Sequence, residues 1–293
     1  MSEQTYNGFH ARVITDSVAN KDFLGPPTLQ RLTTFELTYP RCIHSELMTH
    51  RVFSRNASSS RAIPVARMIA NVNDHPFIPE HWGQNEKGMQ ASGVLQASGI
   101  VTCRRAWLAA RDEAVKQAQI MVEAGLHKQI ANRILEPWMW ITVIVTGSTF
   151  ANWFKLRNHG AAEPHMQKLA GMMLQAYRSS KPTVLESGTC SWHLPFITEA
   201  DKANGLGLGA LIKKSVARCA RGSYLQQEGD HSFAKDEELH DNLAASGHWS
   251  PFEHQACQAT IAGNAWQGGN LGPGWFQYRK QFVMESGLNG QTA

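Results

Sequence analysis

The stretch TTFELTYPRCIHSELMTHRVFSRNASSSRAIP (33–64) sets two kinds of pattern side by side. Its first seven residues alternate, putting Phe35, Leu37 and Tyr39 on one face, which is the period of a β-strand. From Thr49 onward it is polar, with His50, Arg51, Arg55 and Arg61 interleaved with Ser54, Asn56, Ser58, Ser59 and Ser60. Guanidinium forks, hydroxyls and loop amides suit a phosphate monoester, because charge-assisted and bidentate bonds match its oxygens. A strand leading into an anion-binding loop is therefore the first expectation.

Outward from there, helical periods dominate. Trp107, Ala110, Ala114, Ala118 and Met121 recur every three to four residues and stop at Gly125. A shorter helix is expected over His127–Leu135, ending at Pro137. Pro164 opens another, with Met166, Leu169, Ala170, Met173, Leu174 and Tyr177 as its apolar stripe. Leu208, Leu211, Ile212, Ser215, Val216 and Cys219 make a further helical face, and Glu237–Ala245 is helical up to Gly247. Trp140–Thr146 is short and β-branched, so it reads as a strand or as a buried linker between helices. Cys257, Ala259 and Ile261 alternate within a strand Gln255–Ile261, and the glycine-rich run 263–275 reads as a long loop. The class is α+β: helices packed on a small mixed or antiparallel sheet, in a single domain.

Composition narrows the function. Lys+Arg is 28 against Asp+Glu 24, a formal net charge of +4, which permits an anionic small molecule without calling for nucleic acid. Apolar residues are 42% and charged residues 18%, a globular and not a disordered balance. The longest apolar-rich stretch, around Trp138–Val145, is far below the roughly 18–20 residues that span a bilayer. The start MSEQTYNGFHAR lacks a basic n-region with an apolar core, so no signal peptide and no membrane partner are expected. Five scattered cysteines (Cys42, Cys103, Cys190, Cys219, Cys257) give neither a disulfide framework nor metal-ligand spacing. They read as reduced, mostly buried thiols in a cytoplasmic protein that holds no metal.

His50-Arg51, seven residues, then Ser59 and Arg61 resembles the signature of the flavin-dependent thymidylate synthases (ThyX), Arg-His-Arg, seven residues, Ser. ANRILEP (131–137), NWFKLRN (152–158), SVARCARGSY (215–224) and SPFEH (250–254) resemble further segments of that family. In its commonest members the Ala-Arg-x-Ser and Pro-Phe-Glu-His segments precede the His-Arg motif, whereas here they follow it by nearly two hundred residues. WFQYRK (275–280) echoes a Trp-Phe-Arg-His-Arg that the family carries downstream of Pro-Phe-Glu-His. The chain thus resembles a circular permutant, with an N-terminal part of about 1–195 bearing the His-Arg/Ser motif. Residues 196–293 would supply the transplanted pieces. On that reading Gln255–Ile261 should join the sheet of Thr33–Tyr39, and SPFEH should approach the flavin pocket.

The resemblance implies a ThyX-like fold and a methyltransferase that converts dUMP to dTMP. Its cofactor would be FAD, with NADPH and 5,10-methylenetetrahydrofolate as co-substrates and a homotetramer as the assembly. Residue by residue, Ser59 and Arg61 match positions that hold the nucleotide phosphate. Arg133 and Arg157 match nucleotide-contacting arginines, and Ser59 and Arg157 are the implied catalytic pair. Glu46 stands at a substrate-side position where many relatives have Gln. His50, Arg51, Asn152, Ser223 and His254 match the flavin side. Two cationic flavin contacts of relatives are replaced by Thr49 and Ser148, for which Arg55, Arg104 or Arg279 could substitute. Several of these residues also have a purely structural reading: Arg157 as an ion pair, Asn152 as a helix cap, Ser223 as a turn residue, His254 as a core histidine. The alternatives in activity are a hydroxymethylating or dCMP-modifying relative, and an inactive nucleotide-binding protein on the same scaffold.

Overall fold

The β-branched run ITVIVT (141–146) is a strand and not a linker between helices, and it forms part of the main sheet. The computed structural model describes residues 8–186, 191–224 and 232–282. In chain order the elements are β1 (His10–Ala19), β2 (Arg31–Pro40), α1 (His44–Met48), β3 (Ser54–Ala57), α2 (Val65–Asp74), α3 (Ala97–Glu123) and α4 (Lys128–Ala131). There follow β4 (Trp140–Gly147), α5 (Ala151–Arg157), α6 (Pro164–Ser179), β5 (Thr183–Leu185), β6 (Trp192–His193) and α7 (Glu199–Ala203). The chain continues through α8 (Leu208–Tyr224), α9 (Phe233–Ala245), β7 (Ala256–Gln258) and β8 (Trp275–Gln277). Five strands pair in the order β3-β4-β2-β1-β5, antiparallel except for β1 beside β5. The fold is α+β, and its larger sheet is mixed.

Because side chains alternate across a strand, the two faces of β2 and β4 differ in chemistry. Phe35, Leu37, Tyr39, Ile141, Val143 and Val145 form the apolar face. It packs on Leu47, Phe53, Trp153 and the α6 stripe of Met166, Leu169, Ala170 and Met173. α6 starts where the sequence places it: Pro164 sits at its first turn, and the Glu163 carboxylate accepts the Met166 N–H at 2.8 Å. The other face carries Thr34, Thr38, Thr142 and Thr146. These hydroxyls bond across the strands at 2.6 Å (Thr34–Thr146) and 3.0 Å (Thr38–Thr142).

That polar face is buried too, because the C-terminal part of the chain lies over it. His193 bridges Ser17 and Thr34, each at 2.8 Å, and His254 reaches Thr146 at 2.8 Å. Asn56 donates to the Cys219 carbonyl at 2.9 Å, and Gln277 donates to Ser54 at 3.2 Å. A second, three-stranded antiparallel sheet, β6-β7-β8, belongs to this cover.

Several expectations change. Strand pairing within Gln255–Ile261 covers only Ala256–Gln258, and β7 lies in the small sheet, not in that of Thr33–Tyr39. Its ladder partners, Trp192 and Trp275, come from sequence neighbours of the cover. The glycine-rich run 263–275 contains 3₁₀ turns at Ala262–Trp266 and Gly269–Leu271 before entering β8. Gly268 is required there, since a Cβ would lie 1.9 Å from the Gly272 carbonyl oxygen. The helix expected over His127–Leu135 is a single turn, α4, followed by a 3₁₀ segment Asn132–Trp138 that contains Pro137. Helix α3 does end at Gly125, whose φ of +86° closes a Schellman turn, with the Leu126 N–H on the Met121 carbonyl at 2.9 Å.

The thiols are less uniformly hidden than expected. Cys219 is buried, Cys103 and Cys257 are half-buried, Cys42 is exposed, and Cys190 lies outside the described residues. Burial pushes the Cys219 thiol well above its ordinary range, so it is held as the inert protonated form. No described helix is long and apolar enough to cross a membrane, and no described cluster of His, Cys, Asp or Glu could hold a metal ion.

Candidate functional site

Two clusters gather most of the residues singled out from the sequence. The first joins α1 to the end of α5, segments more than a hundred residues apart. Arg157 donates Nε–H to His50 Nε2 at 3.1 Å, Nη1–H to Glu46 Oε2 at 3.1 Å and Nη2–H to Thr49 Oγ1 at 3.3 Å. The ion-pair reading of Arg157 therefore holds together with any functional one. His50 is buried, with its ring edge-on to Trp153 at 4.7 Å. Burial lowers its pKa, and the Arg157 and Arg55 charges lower it further. Burial raises the Glu46 pKa while Arg157 opposes that rise.

The second cluster surrounds the segment after β3. Its side chains alternate: Ser58 and Ser60 are buried, Ser59 is half-buried and Arg61 is exposed. The Ser59 hydroxyl accepts the Arg61 backbone N–H at 3.3 Å. From behind, Asn132 donates to the carbonyls of Ser60 and Ile63 at 2.7 and 2.9 Å, clamping the segment onto ANRILEP. Glu136 ties the rest together, accepting from the Ser60 hydroxyl at 3.2 Å and pairing with Arg41 at 3.1 Å and Arg133 at 3.8 Å. A cavity of about 50 Å³ lies beneath, lined by Thr38, Arg41, Ser58, Ser60, Met68 and Trp138 among others.

Arg41, Asn132 and Glu136 were not singled out from the sequence. The last two stand inside the quoted ANRILEP, but nothing in local pattern marks Arg41, which follows β2 and meets Glu136 only through folding.

The remaining residues are placed apart. Arg51 is exposed and has no ion-pair partner among the described residues. Asn152 is exposed on α5 and does not cap it, since that place belongs to Phe150. His254 is wholly buried on the polar face of the sheet, the opposite face from the Arg157 cluster. Glu253 of the same SPFEH segment acts on Arg55, one of the charges that lower the His50 pKa. Burial and the neighbouring His193 lower the His254 pKa to about 3. Ser223 lies in α8, but its side chain is outside the described residues.

Both replaced positions already donate to a backbone carbonyl. Thr49 donates to the Glu46 carbonyl at 2.7 Å, and Ser148 donates to the Leu271 carbonyl at 2.7 Å. Of the possible substitutes, Arg55 donates to the Met48 carbonyl at 2.7 Å, Arg279 pairs with Glu253, and Arg104 is exposed on α3.

No curated protein is similar enough in sequence to match. Among solved structures, the chain is similar to a UMP/dUMP methylase PolB from Streptomyces cacaoi bound with 5-Br UMP. Identity is 16%, over 58% of this chain and 88% of that one, with a TM-score of 0.47. It is also similar to Thymidylate Synthase X from Helicobacter pylori with FAD and dUMP. There identity is 14%, over 51% and 69% of the two chains, with a TM-score of 0.37. The family of the thymidylate synthase complementing protein matches residues 28–183, which span β2 through α6 and hold both clusters. With more than half its length matched, the chain belongs to the thymidylate synthase complementing protein family.

Proposed function

We propose that the protein is a flavin-dependent thymidylate synthase, methylating dUMP with 5,10-methylenetetrahydrofolate as carbon donor and NADPH as reductant. The observation that carries this reading is the convergence of Glu46, His50 and Arg157 across more than a hundred residues of sequence. Ser59 and Arg61 stand on a second segment, which Glu136 ties to Arg133 through the Ser60 hydroxyl. The donor set fits a dinucleotide cofactor and a nucleotide monophosphate: Arg51, Arg61 and Asn152 are exposed, and guanidinium and amide groups are the donors that phosphate and flavin oxygens take. When bound, reduced flavin supplies the hydride. Arg51 and Asn152 would hold it, while Ser59, Arg61 and Arg133 hold the phosphate and Arg157 fixes the base. Exposure of Arg51 and Asn152 suits sites completed between copies, as in a homotetramer.

The family match ends at residue 183, while SVARCARGSY and SPFEH lie beyond it in the cover of the polar face. We read this cover as the segment that relatives carry ahead of the His-Arg motif, moved by circular permutation.

Incubation with labelled methylenetetrahydrofolate, NADPH and each pyrimidine monophosphate, with the product mass measured, tests the activity. A methylated dUMP product supports it. A hydroxymethyl product or turnover of dCMP alone shifts it to the related chemistry, for which Glu46 is suited as an acceptor for a cytosine amine. Arg61→Ala removes a charge-assisted contact of about 1.5–3 kcal/mol, so calorimetry should show dUMP binding weakened tenfold or more, with flavin absorbance near normal. Unchanged nucleotide affinity with lost flavin would reverse the assignment of this segment.

A further inference from the structure

Arginine has only donors and keeps its proton at any physiological pH. The Nε–H of Arg157 therefore requires a lone pair on His50 Nε2, 3.1 Å away. That fixes His50 as the neutral imidazole carrying its proton on Nδ1. Thr49 is oriented by the same logic, because its hydroxyl hydrogen goes to the Glu46 carbonyl and its oxygen is left to accept from Arg157 Nη2. With Glu46 taking one Nη1–H, the guanidinium retains one N–H on each terminal nitrogen. His50 is rigidly seated, edge-on to Trp153 and stacked on Phe53 at 6.0 Å.

We infer that His50 is a positioning residue for Arg157, holding its guanidinium through the Nδ1–H tautomer, so that nucleotide binding is lost when the imidazole takes up a second proton. The inference rests on Arg157 being a nucleotide contact, as proposed above. The charged groups acting on the ring are Arg157 from α5 and Arg55 from β3, and Glu46 from α1 is paired to Arg157. Glu163, at the start of α6, acts on Glu46 and not on the ring. A protonated His50 would thus present an N–H to an N–H beside two guanidinium groups, and the Arg157 contact would open. The direction of its pKa, lowered by burial and by those two arginines, agrees.

Two measurements on the full chain test this. In protein labelled with ¹⁵N at histidine rings, His50 should show a protonated Nδ1 and a bare Nε2, with a titration midpoint below the ordinary value of about 6.5. Arg157→Gln should raise that midpoint and mix the tautomers. Calorimetric dUMP affinity should fall about tenfold per pH unit below the His50 midpoint. His50→Gln, whose amide oxygen can accept the same Nε–H, should retain most of the affinity of the wild type and remove the pH dependence. His50→Ala should lose about tenfold or more at every pH. A wild-type Nε2–H tautomer, a midpoint unmoved in Arg157→Gln, or an unchanged pH slope in His50→Gln would overturn the inference. If the spectra show the linkage but dUMP binds at no pH, the nucleotide reading fails and the positioning of Arg157 stands.

Discussion

A chain ending at Pro195 should not fold: by size-exclusion chromatography and near-ultraviolet circular dichroism it should be aggregated or without fixed tertiary packing, and it should hold no flavin. Truncation removes Ile212, Val216, Phe252, Leu271, Trp275 and Tyr278, all buried. At about 1.5–3 kcal/mol for each large apolar side chain, the loss is on the order of 10 kcal/mol. A typical domain has only about 5–15 kcal/mol of net stability. The polar face suffers as well. Thr146 loses His254, Ser54 loses Gln277, Asn56 loses the Cys219 carbonyl, and Ser148 loses the Leu271 carbonyl. His193 stays in the chain, but its strand loses β7, its only ladder partner among the described residues. Folded, flavin-bound residues 1–195 with turnover would show that the C-terminal segment is an accessory and would sink the permutation reading.

Acid should unfold the protein well before carboxylates titrate. His193 and His254 are wholly buried and both have pKa values lowered to about 3, by burial first. For His254 the neighbouring His193 adds to the lowering, whereas Asp16 opposes it for His193. The unfolded chain binds protons at these rings near pH 6.5, while the folded chain refuses them until about pH 3. Their contribution is therefore complete above about pH 6.5 and is lost as pH falls toward 3. Each ring costs about 1.4 kcal/mol per pH unit in that window, so at about pH 5 the pair removes on the order of 4 kcal/mol. His44, lowered to about 4 by burial and by Arg41 and Arg55, acts in the same direction. Asp201 acts later: burial alone would raise its pKa, but Arg218 and Lys214 hold it below the ordinary carboxylate range, so its contribution fades only below about pH 4. Urea melts at several pH values check this. Stability that stays level from about pH 7.5 to pH 5 would show that water or rearrangement solvates these rings.

Elements with a strong local signal were legible in the sequence. The alternation of Phe35, Leu37 and Tyr39 marks β2, the spacing from Trp107 to Met121 with Gly125 marks α3, and Pro164 with its stripe marks α6. The polar segment Ser58–Arg61 and the family itself were likewise readable, because motifs and periods are properties of neighbours in the chain. Trp140–Thr146 could not be assigned from period alone, since a strand buried on both faces and an interior linker are equally apolar. Only the tertiary structure decided that the threonines of β2 and β4 face a second layer and not water. It likewise decided that β7 pairs within that layer, that His254 is sealed behind Thr146, and that Arg157 is held by His50, Glu46 and Thr49. Each of these depends on which distant surfaces exclude water from one another, and burial between segments more than a hundred residues apart leaves no periodic trace in either one.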